Sequence, residues 1–404
     1  MKIAVSFEAN PSSGGGFQQA LNIALLMKES GQADHEIVFV VTEEQEKREL
    51  ARKGIQAHLL KMGRIQRLIT RIRRSMRFNH LLTRLKIDNP LDEQLDRLGV
   101  DLVYFTGPSR LALMLERTNY LFTVWDLCHR DWVEFPEVRN HLAFEARELL
   151  FREALPKATA VLVDSEFGRE NIVRRYGIDV ERIHVLPFSP AAHLNESEKT
   201  AETANDIKGK LNLGEHYLFY PAQFWSHKNH LYVIDGISLL RKHHEVEIHA
   251  VFSGSTGGNM PQLQAMARKA GVEDLVRFPG FVSDQELHSL YTEALALVMP
   301  TYFGPTNLPP LEAFQTGTPV LYSDLPGIRE QVGDAAILLD LNDPASMAKA
   351  ALQLIKQPEL RKRLAKAGKE RLAELSDDDS RRETLWKIFG SFETKLRLWK
   401  NSAG

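Results

Sequence analysis

Two series of short, β-branched and apolar runs, separated by amphipathic helical stretches, limit what this chain can fold into. In the first half they are residues 2–7, 36–41, 101–105, 121–125, 160–164 and 183–188. In the second they are residues 217–221, 247–253, 276–281, 294–299, 319–322 and 336–339. Runs this short and this uniformly apolar read as parallel strands, because crossover helices cover both faces of a parallel sheet. The alternation, met twice, predicts two doubly wound α/β units. Length agrees, since 404 residues exceed the roughly 250–300 that one hydrophobic core serves. Residues 195–210 hold one large apolar side chain, Ile207, among many polar ones, and read as a linker or exposed loop. The expected division is therefore 1–192, a linker at 193–212, and 213–379. A last helix, 380–404, should pack back on the first domain. Leu385, Ile388, Phe389 and Phe392 give that helix an apolar face, and the acids at 377–379 suit its positive end. Asp343 and Pro344 likewise suit the cap and first turn of a helix over 344–355.

Composition narrows the class. With 43% apolar and 26% charged residues the chain matches the globular average, which excludes disordered, collagen-like and membrane-spanning proteins. A single cysteine, Cys128, excludes an internal disulfide and a cysteine-based zinc site. The opening MKIAVSF is too short an apolar run for a signal peptide, and no run approaches the roughly 18 residues of a spanning helix, so a reducing cytoplasm is the expected location. The net charge of −2 conceals an uneven distribution. Residues 61–87 carry nine Lys and Arg and no acid, leaving 42 basic against 53 acidic side chains elsewhere. One basic segment meeting an anionic surface fits this pattern, and a chain-wide nucleic-acid footprint does not.

Open α/β sheets bind ligands beyond the carboxyl ends of their strands, so the informative residues should follow strand ends. Gly14, Gly15 and Gly16 do so, before a helical pattern over 17–28. They are either a flexible turn or a place where free N–H groups meet a phosphate or sugar hydroxyl. His129 follows the run ending at Trp125 and is either satisfied by backbone or a donor to substrate. Lys228 falls in the expected first turn of the helix after residues 217–221. A cation is misplaced there for the helix dipole unless a bound diphosphate supplies negative charge, although a solvated lysine is the plainer reading. Residues 303–310 hold glycine, threonine, asparagine and three prolines, which predicts a rigid loop presenting backbone N–H groups. A helix is expected from Leu311 with Glu312 in its first turn, where the carboxylate either complements the dipole or accepts from a ribose diol.

Residues 303–320, with 217–230, 161–170 and the opening glycine loop, resemble the retaining glycosyltransferase family 4 group, of GT-B fold. The resemblance covers nearly the whole chain in the right order, and residues 61–86 and the linker match least. Residues 125–138 together with 222–230 are similar to a bacterial subset associated with cell-surface polysaccharide assembly. It implies two Rossmann-like domains facing across a cleft, the first for the acceptor and the second for a nucleotide-sugar donor. It also implies transfer to a glycan or lipid-linked acceptor with retention of configuration, as in O-antigen, capsule or exopolysaccharide assembly. Lys228 would hold the diphosphate, Glu312 the ribose, and His129 would orient the sugar. Gly254, Gln223, Gly304, Pro305, Thr306, Asn307 and Leu308 would line the donor site. Two positions depart from the group's pattern: the first acid of its Glu-x7-Glu falls on Gly304, and its usual Arg five residues before the lysine is Gln223. Losing that Arg removes a bidentate phosphate clamp, so the loop at 306–308 should supply the missing donors. No strand-end DxD occurs, so neither a metal nor another cofactor is expected. A nucleotide-sugar epimerase or hydrolase is the alternative enzyme, and a sugar-nucleotide-binding pseudoenzyme partner is the alternative from another class.

The basic segment has its own pattern. Ile65, Leu68, Ile69, Ile72 and Met76 recur at spacings of three and four, while Arg64, Arg67, Arg71 and Arg74 occupy other faces. Either the helix docks on the first domain with a solvated basic face, or it lies on an anionic membrane, making the protein peripheral on the inner membrane face.

Overall fold

The computed structural model describes residues 1–9, 14–29, 35–61, 63–73, 84–85, 89–190, 206–255 and 257–400. The chain forms two compact units. Unit 1 comprises Met1–Asp126, Glu145–Pro187 and Asp377–Gly404, and unit 2 comprises Leu127–Phe144 and Phe188–Ser376.

Unit 1 is built on a seven-stranded sheet: β1 (Lys2–Phe7), β2 (Glu36–Val41), β3 (Ala57–Leu59), β4 (Leu102–Phe105), β5 (Asn119–Val124), β6 (Ala160–Val163) and β7 (Ile183–Val185). Their spatial order is β3-β2-β1-β4-β5-β6-β7, with every neighbouring pair parallel. β3, Ala57–Leu59, lies outside the runs read from the sequence. The helix Asp378–Lys400 belongs to this unit, burying Leu385, Ile388, Phe389, Phe392 and Leu396 in one core with Ile3, Val5 and Leu162.

Unit 2 carries six strands: β8 (Tyr217–Pro221), β9 (His249–Ser253), β10 (Val276–Gly280), β11 (Ala296–Met299), β12 (Val320–Ser323) and β13 (Ala336–Leu339). They are also all parallel, in the order β10-β9-β8-β11-β12-β13. Fully buried Tyr217, Phe219, Val251, Leu297 and Leu321 lie at the centre of a continuous apolar core.

Three boundaries differ from the sequence reading. Residues 127–144 group with unit 2, although they follow a strand of unit 1. The stretch expected to be linker ends in a helix, Ile207–Leu211, capped by Asp206 and pinned by Ile207 in the core of unit 2; residues 191–205 lie outside the described residues. The third concerns the prolines of residues 309–310. A helix runs from Leu308 to Thr316 with both prolines in its first turn, where a missing N–H breaks no hydrogen bond.

Candidate functional site

The strand order of unit 2 reverses between β8 and β11, and the loops leaving those two strands carry the chemistry. After β8 the chain makes one short helical turn, Ser226–Lys228, then a left-handed residue, Asn229, before the helix His230–His244 begins. Lys228 thus precedes the helix, and the expectation of a first-turn lysine is corrected. Its Nζ donates to Asn307 Oδ1 at 3.3 Å, and its carbonyl accepts from the Tyr220 hydroxyl at 2.9 Å. The loop after β11 is tied to the same turn, since the Tyr302 N–H and the Thr301 hydroxyl both donate to the His227 carbonyl, at 2.9 and 3.3 Å.

Asn307 is the post of this loop. Its Nδ2 donates to the carbonyls of Phe303 and Gly304, both at 3.2 Å, and reaches the Tyr322 hydroxyl at 2.7 Å. Its N–H donates to Gln331 Oε1 at 3.0 Å, and Gln331 Nε2 returns a bond to the Asn307 carbonyl at 2.7 Å. The Asn307 N–H is therefore engaged within the loop. Pro309 and Pro310 have no N–H, so Leu308 supplies the only N–H among the first three helical residues. Pro305 is buried and Thr306 half-buried beside it.

Gly304 has φ +89°, where a Cβ would lie 2.7 Å from Asn307 Nδ2 and 2.9 Å from the Thr306 carbonyl oxygen. Its N–H meets Cys128 Sγ at 3.1 Å. An acid at this position would be strained in the left-handed region and would crowd Asn307 and the Thr306 carbonyl, so the loop as folded favours glycine where the Glu-x7-Glu pattern has its first acid. At the other departure, Gln223 Oε1 accepts from the Trp225 indole N–H at 2.9 Å. Gly254 ends β9 and donates its N–H to the Gly280 carbonyl at 3.0 Å.

Glu312 sits in the second turn of its helix, because the helix starts three residues earlier than expected, and it is 7% exposed. Tyr291 donates its hydroxyl to Glu312 Oε2 at 2.6 Å. Burial first, then the neighbouring carboxylate, holds the Tyr291 phenol well above its usual range, so it remains a donor. Dipole complementation does not describe this carboxylate, which is a buried acceptor with a dedicated tyrosine.

Residues 127–144 add a wall that sequence reasoning missed. Glu137 Oε1 accepts from the Ser226 N–H and lies 3.7 Å from His227 Nδ1. The His227 ring stacks on Phe303 at 4.0 Å and 11° between planes, and Trp132 and Phe135 pack on Tyr302 at 5.2 Å. His129 is fully buried, with its ring 5.6 Å from that of Phe144. Its neighbour Cys128 contacts the loop after β11, at the Gly304 N–H. Gln331, Tyr322 and Tyr291 were equally hidden, since they reach the site from 15 to 24 residues away. Among the described residues, no group of three or more His, Cys, Asp and Glu side chains is placed to hold a metal.

The remaining expected residues lie in unit 1. Gly14 is left-handed at φ +63°, and Gly15 and Gly16 open the helix Gly15–Glu29. A Cβ on Gly16 would come within 2.8 Å of the Trp125 ring, so this glycine admits an indole. Arg64 lies exposed at the start of the helix Arg64–Arg73, Arg67 and Arg71 are on its backbone, and Arg74 falls outside the described residues.

Two family models match the chain: "Glycosyl transferase 4-like domain" over residues 14–189 and "Glycosyl transferases group 1" over 202–371. The O-antigen chain mannosyltransferase B of Escherichia coli is 25% identical over 248 residues, 59% of this chain and 62% of that protein. The O-antigen chain mannosyltransferase RfbU of Salmonella typhimurium is 27% identical over 210 residues, 52% of this chain and 55% of that protein. The chain thus spans a little over half the length of these curated relatives. Among solved structures, Anabaena HepE in complex with UDP and glucose superposes with a TM-score of 0.71 at 15% identity, covering 97% of this chain and all of that one.

Two outcomes check the site geometry. Gly304→Glu, which restores the missing acid, should destabilise the protein by about 1–3 kcal/mol, the scale of a forced left-handed residue, and lower its thermal midpoint. An unchanged midpoint would contradict the geometry. The second concerns His230, buried against Tyr220 with ring centroids 4.6 Å apart; burial, then the Lys228 charge, pushes its pKa down to about 3. A histidine depressed in the folded state contributes stability that is present above the unfolded pKa of about 6.5 and lost as pH falls toward 3. Replacement by Phe should remove up to about 1.4 kcal/mol per pH unit of slope from urea-unfolding free energies in that window.

Proposed function

We propose that this chain is a glycosyltransferase of GT-B fold that moves a sugar from a nucleotide-diphosphate donor to a glycan or lipid-linked acceptor with retention of configuration. Unit 2 takes the donor and unit 1 the acceptor. The observation that carries this reading is the pairing of Lys228 Nζ with Asn307 Oδ1 across the two loops of the β8/β11 switch point, where α/β sheets receive nucleotides. The named mannosyltransferase relatives support a role in surface polysaccharide assembly.

In the reaction the bond from sugar C1 to the donor phosphate oxygen breaks and a bond from C1 to the acceptor oxygen forms. The acceptor proton leaves with the nucleoside diphosphate or to solvent. Negative charge grows on the leaving phosphate, so a cation fixed beside it before reaction favours the transition state over the ground state. Lys228 is that cation, and Asn307, itself locked by Gln331 and Tyr322, keeps its ammonium in place. The Leu308 N–H adds one backbone donor. Glu312, oriented by Tyr291, accepts from the ribose diol. Transfer is independent of metal in this reading, with the Lys228 charge and the Leu308 N–H set against the leaving phosphate.

Kinetics separate these roles. Lys228→Ala should lower kcat by about 10²–10³ at saturating donor, the scale of one preorganised donor, and activity should survive EDTA. Glu312→Gln should raise KM for the donor more than it lowers kcat, since its contact is made in ground and transition states alike. Full activity of Lys228→Ala, or loss on chelation restored by Mg²⁺ or Mn²⁺, would contradict this reading.

The basic helix offers a membrane surface. Ile65, Leu68 and Ile72 are 75%, 56% and 36% exposed, so an apolar stripe faces outward beside Arg64. No described helix is long and apolar enough to cross a membrane. An interfacial helix buries such a stripe among acyl chains, while each arginine near anionic lipid contributes about 1 kcal/mol. Co-sedimentation with phosphatidylglycerol vesicles should therefore be salt-sensitive, and Arg71→Glu with Arg74→Glu should abolish it. Absence of binding at low salt would leave a soluble acceptor.

A further inference from the structure

Unit 1 has a switch point of its own, and the side chains gathered there take no part in the donor site. Its strand order departs from β1 in one direction and from β4 in the other, so the segments that leave these two strands part at the carboxyl edge of the sheet. Glu8 follows β1. Ser6 Oγ donates to Glu8 Oε1 at 2.7 Å, and Ser109 Oγ lies 2.7 and 2.8 Å from the two carboxylate oxygens. Ser109 is held in turn, because its Oγ accepts from the Leu111 N–H at 3.0 Å. Thr106 Oγ1 donates to the Ser6 carbonyl at 2.9 Å and fixes the same turn to β1.

Each hydroxyl has one proton, so two protons serve a carboxylate with about four acceptor directions. Among the described residues no Lys, Arg or His forms an ion pair with Glu8. Burial holds its carboxyl above the usual range, opposed by Ser109 and Ser6, while the Glu46 charge adds to the rise. A desolvated carboxylate with spare acceptor capacity and no cation is costly unless another donor completes it. An indole packs on the turn that carries Ser109. Trp125 follows β5 half-buried, and the turn after β4 is drawn so close to its ring that a Cβ on Gly107 would lie 2.5 Å away, while one on Gly16 of the first helix would lie 2.8 Å away. The turn at 106–109 therefore presents Ser109 to Glu8 and Gly107 to the indole.

Carboxylate and indole together match one ligand class. A sugar ring offers vicinal hydroxyls as paired donors on its edge and C–H groups on its face, and a tryptophan covers apolar area while keeping one polar N–H. A phosphate is excluded by the carboxylate, and an apolar ligand would leave it unpaired. We propose that Glu8, Ser109 and Trp125 form a binding site in unit 1 for a neutral sugar, in which the carboxylate accepts from two vicinal ring hydroxyls and the indole covers the ring face. Its use as the acceptor subsite rests on the transferase reading above, whereas the binding itself does not.

The test uses the full chain with methyl α-D-mannopyranoside and methyl β-D-glucopyranoside as probes, read by saturation-transfer difference NMR. At least one glycoside should receive saturation at millimolar concentration. Glu8→Gln, nearly isosteric, should weaken that binding about tenfold or more, and Ser109→Ala should weaken it several-fold. Binding by the parent should rise with pH through an apparent pKa above the usual carboxylate value of 4.5, and Glu8→Gln should remove that dependence. No transfer to either glycoside, or equal transfer by Glu8→Gln and Ser109→Ala, would overturn the proposal. A separate titration of the parent chain with UDP and GDP reports on unit 2. Glycoside binding without nucleotide binding would retain this site and remove the donor reading, and the opposite pattern would do the reverse.

Discussion

The reversal of strand order beside β8 is the constraint on which the candidate site depends. Crossovers between parallel strands are right-handed, so helices reached from β8 and from β11 lie on opposite faces of the sheet. Their connecting loops must diverge, and the backbone there has no neighbouring strand to bond. The chain satisfies it instead by joining one loop to the other. The His227 carbonyl takes donors from Thr301 and Tyr302, and Lys228 finds Asn307. The same requirement recurs at β1 and β4, where Glu8 and Ser109 meet.

Within the loop after β11, one residue gathers the hydrogen bonds. Asn307 uses both hydrogens of its amide on Phe303, Gly304 and Tyr322, its N–H on Gln331, and its amide oxygen on Lys228. A tight turn at Gly304 is needed to bring those carbonyls within reach, and the turn in turn excludes a side chain there. The sequence's departure from the Glu-x7-Glu pattern is thus coupled to its asparagine and two prolines. The loop exchanges an acidic side chain for a rigid backbone with few free donors. Buried amide networks of this kind cost little when every group is paired and much when one is removed.

Much of the fold was legible because buried parallel strands leave apolar runs that need no long-range information. Twelve of the thirteen described strands stand in those runs, and β3 lies outside them. Strand-end position and local composition singled out Lys228, Glu312 and the 303–310 loop, and the family resemblance supplied the roles expected of them. Local chemistry was misread where tertiary packing decides. Prolines at 309 and 310 looked like a loop yet open a helix, which moves Glu312 from its first turn to its second. Tyr291, Gln331 and Tyr322 carry no local signal, since a buried tyrosine or glutamine looks the same in sequence whether it fills a core or holds a functional group. Residues 127–144 follow a strand of unit 1 but pack with unit 2, and only contacts such as Cys128 with Gly304 and Glu137 with Ser226 reveal it.

The central claim is that the paired loops after β8 and β11 receive a nucleoside diphosphate. Hydrogen exchange of the full chain, followed by mass spectrometry with and without saturating UDP or GDP, tests it without knowledge of sugar or acceptor. The account predicts new protection in peptides covering residues 222–230 and 300–316, with the strands beneath them unchanged. Protection confined to unit 1, or none with either nucleotide, would contradict it.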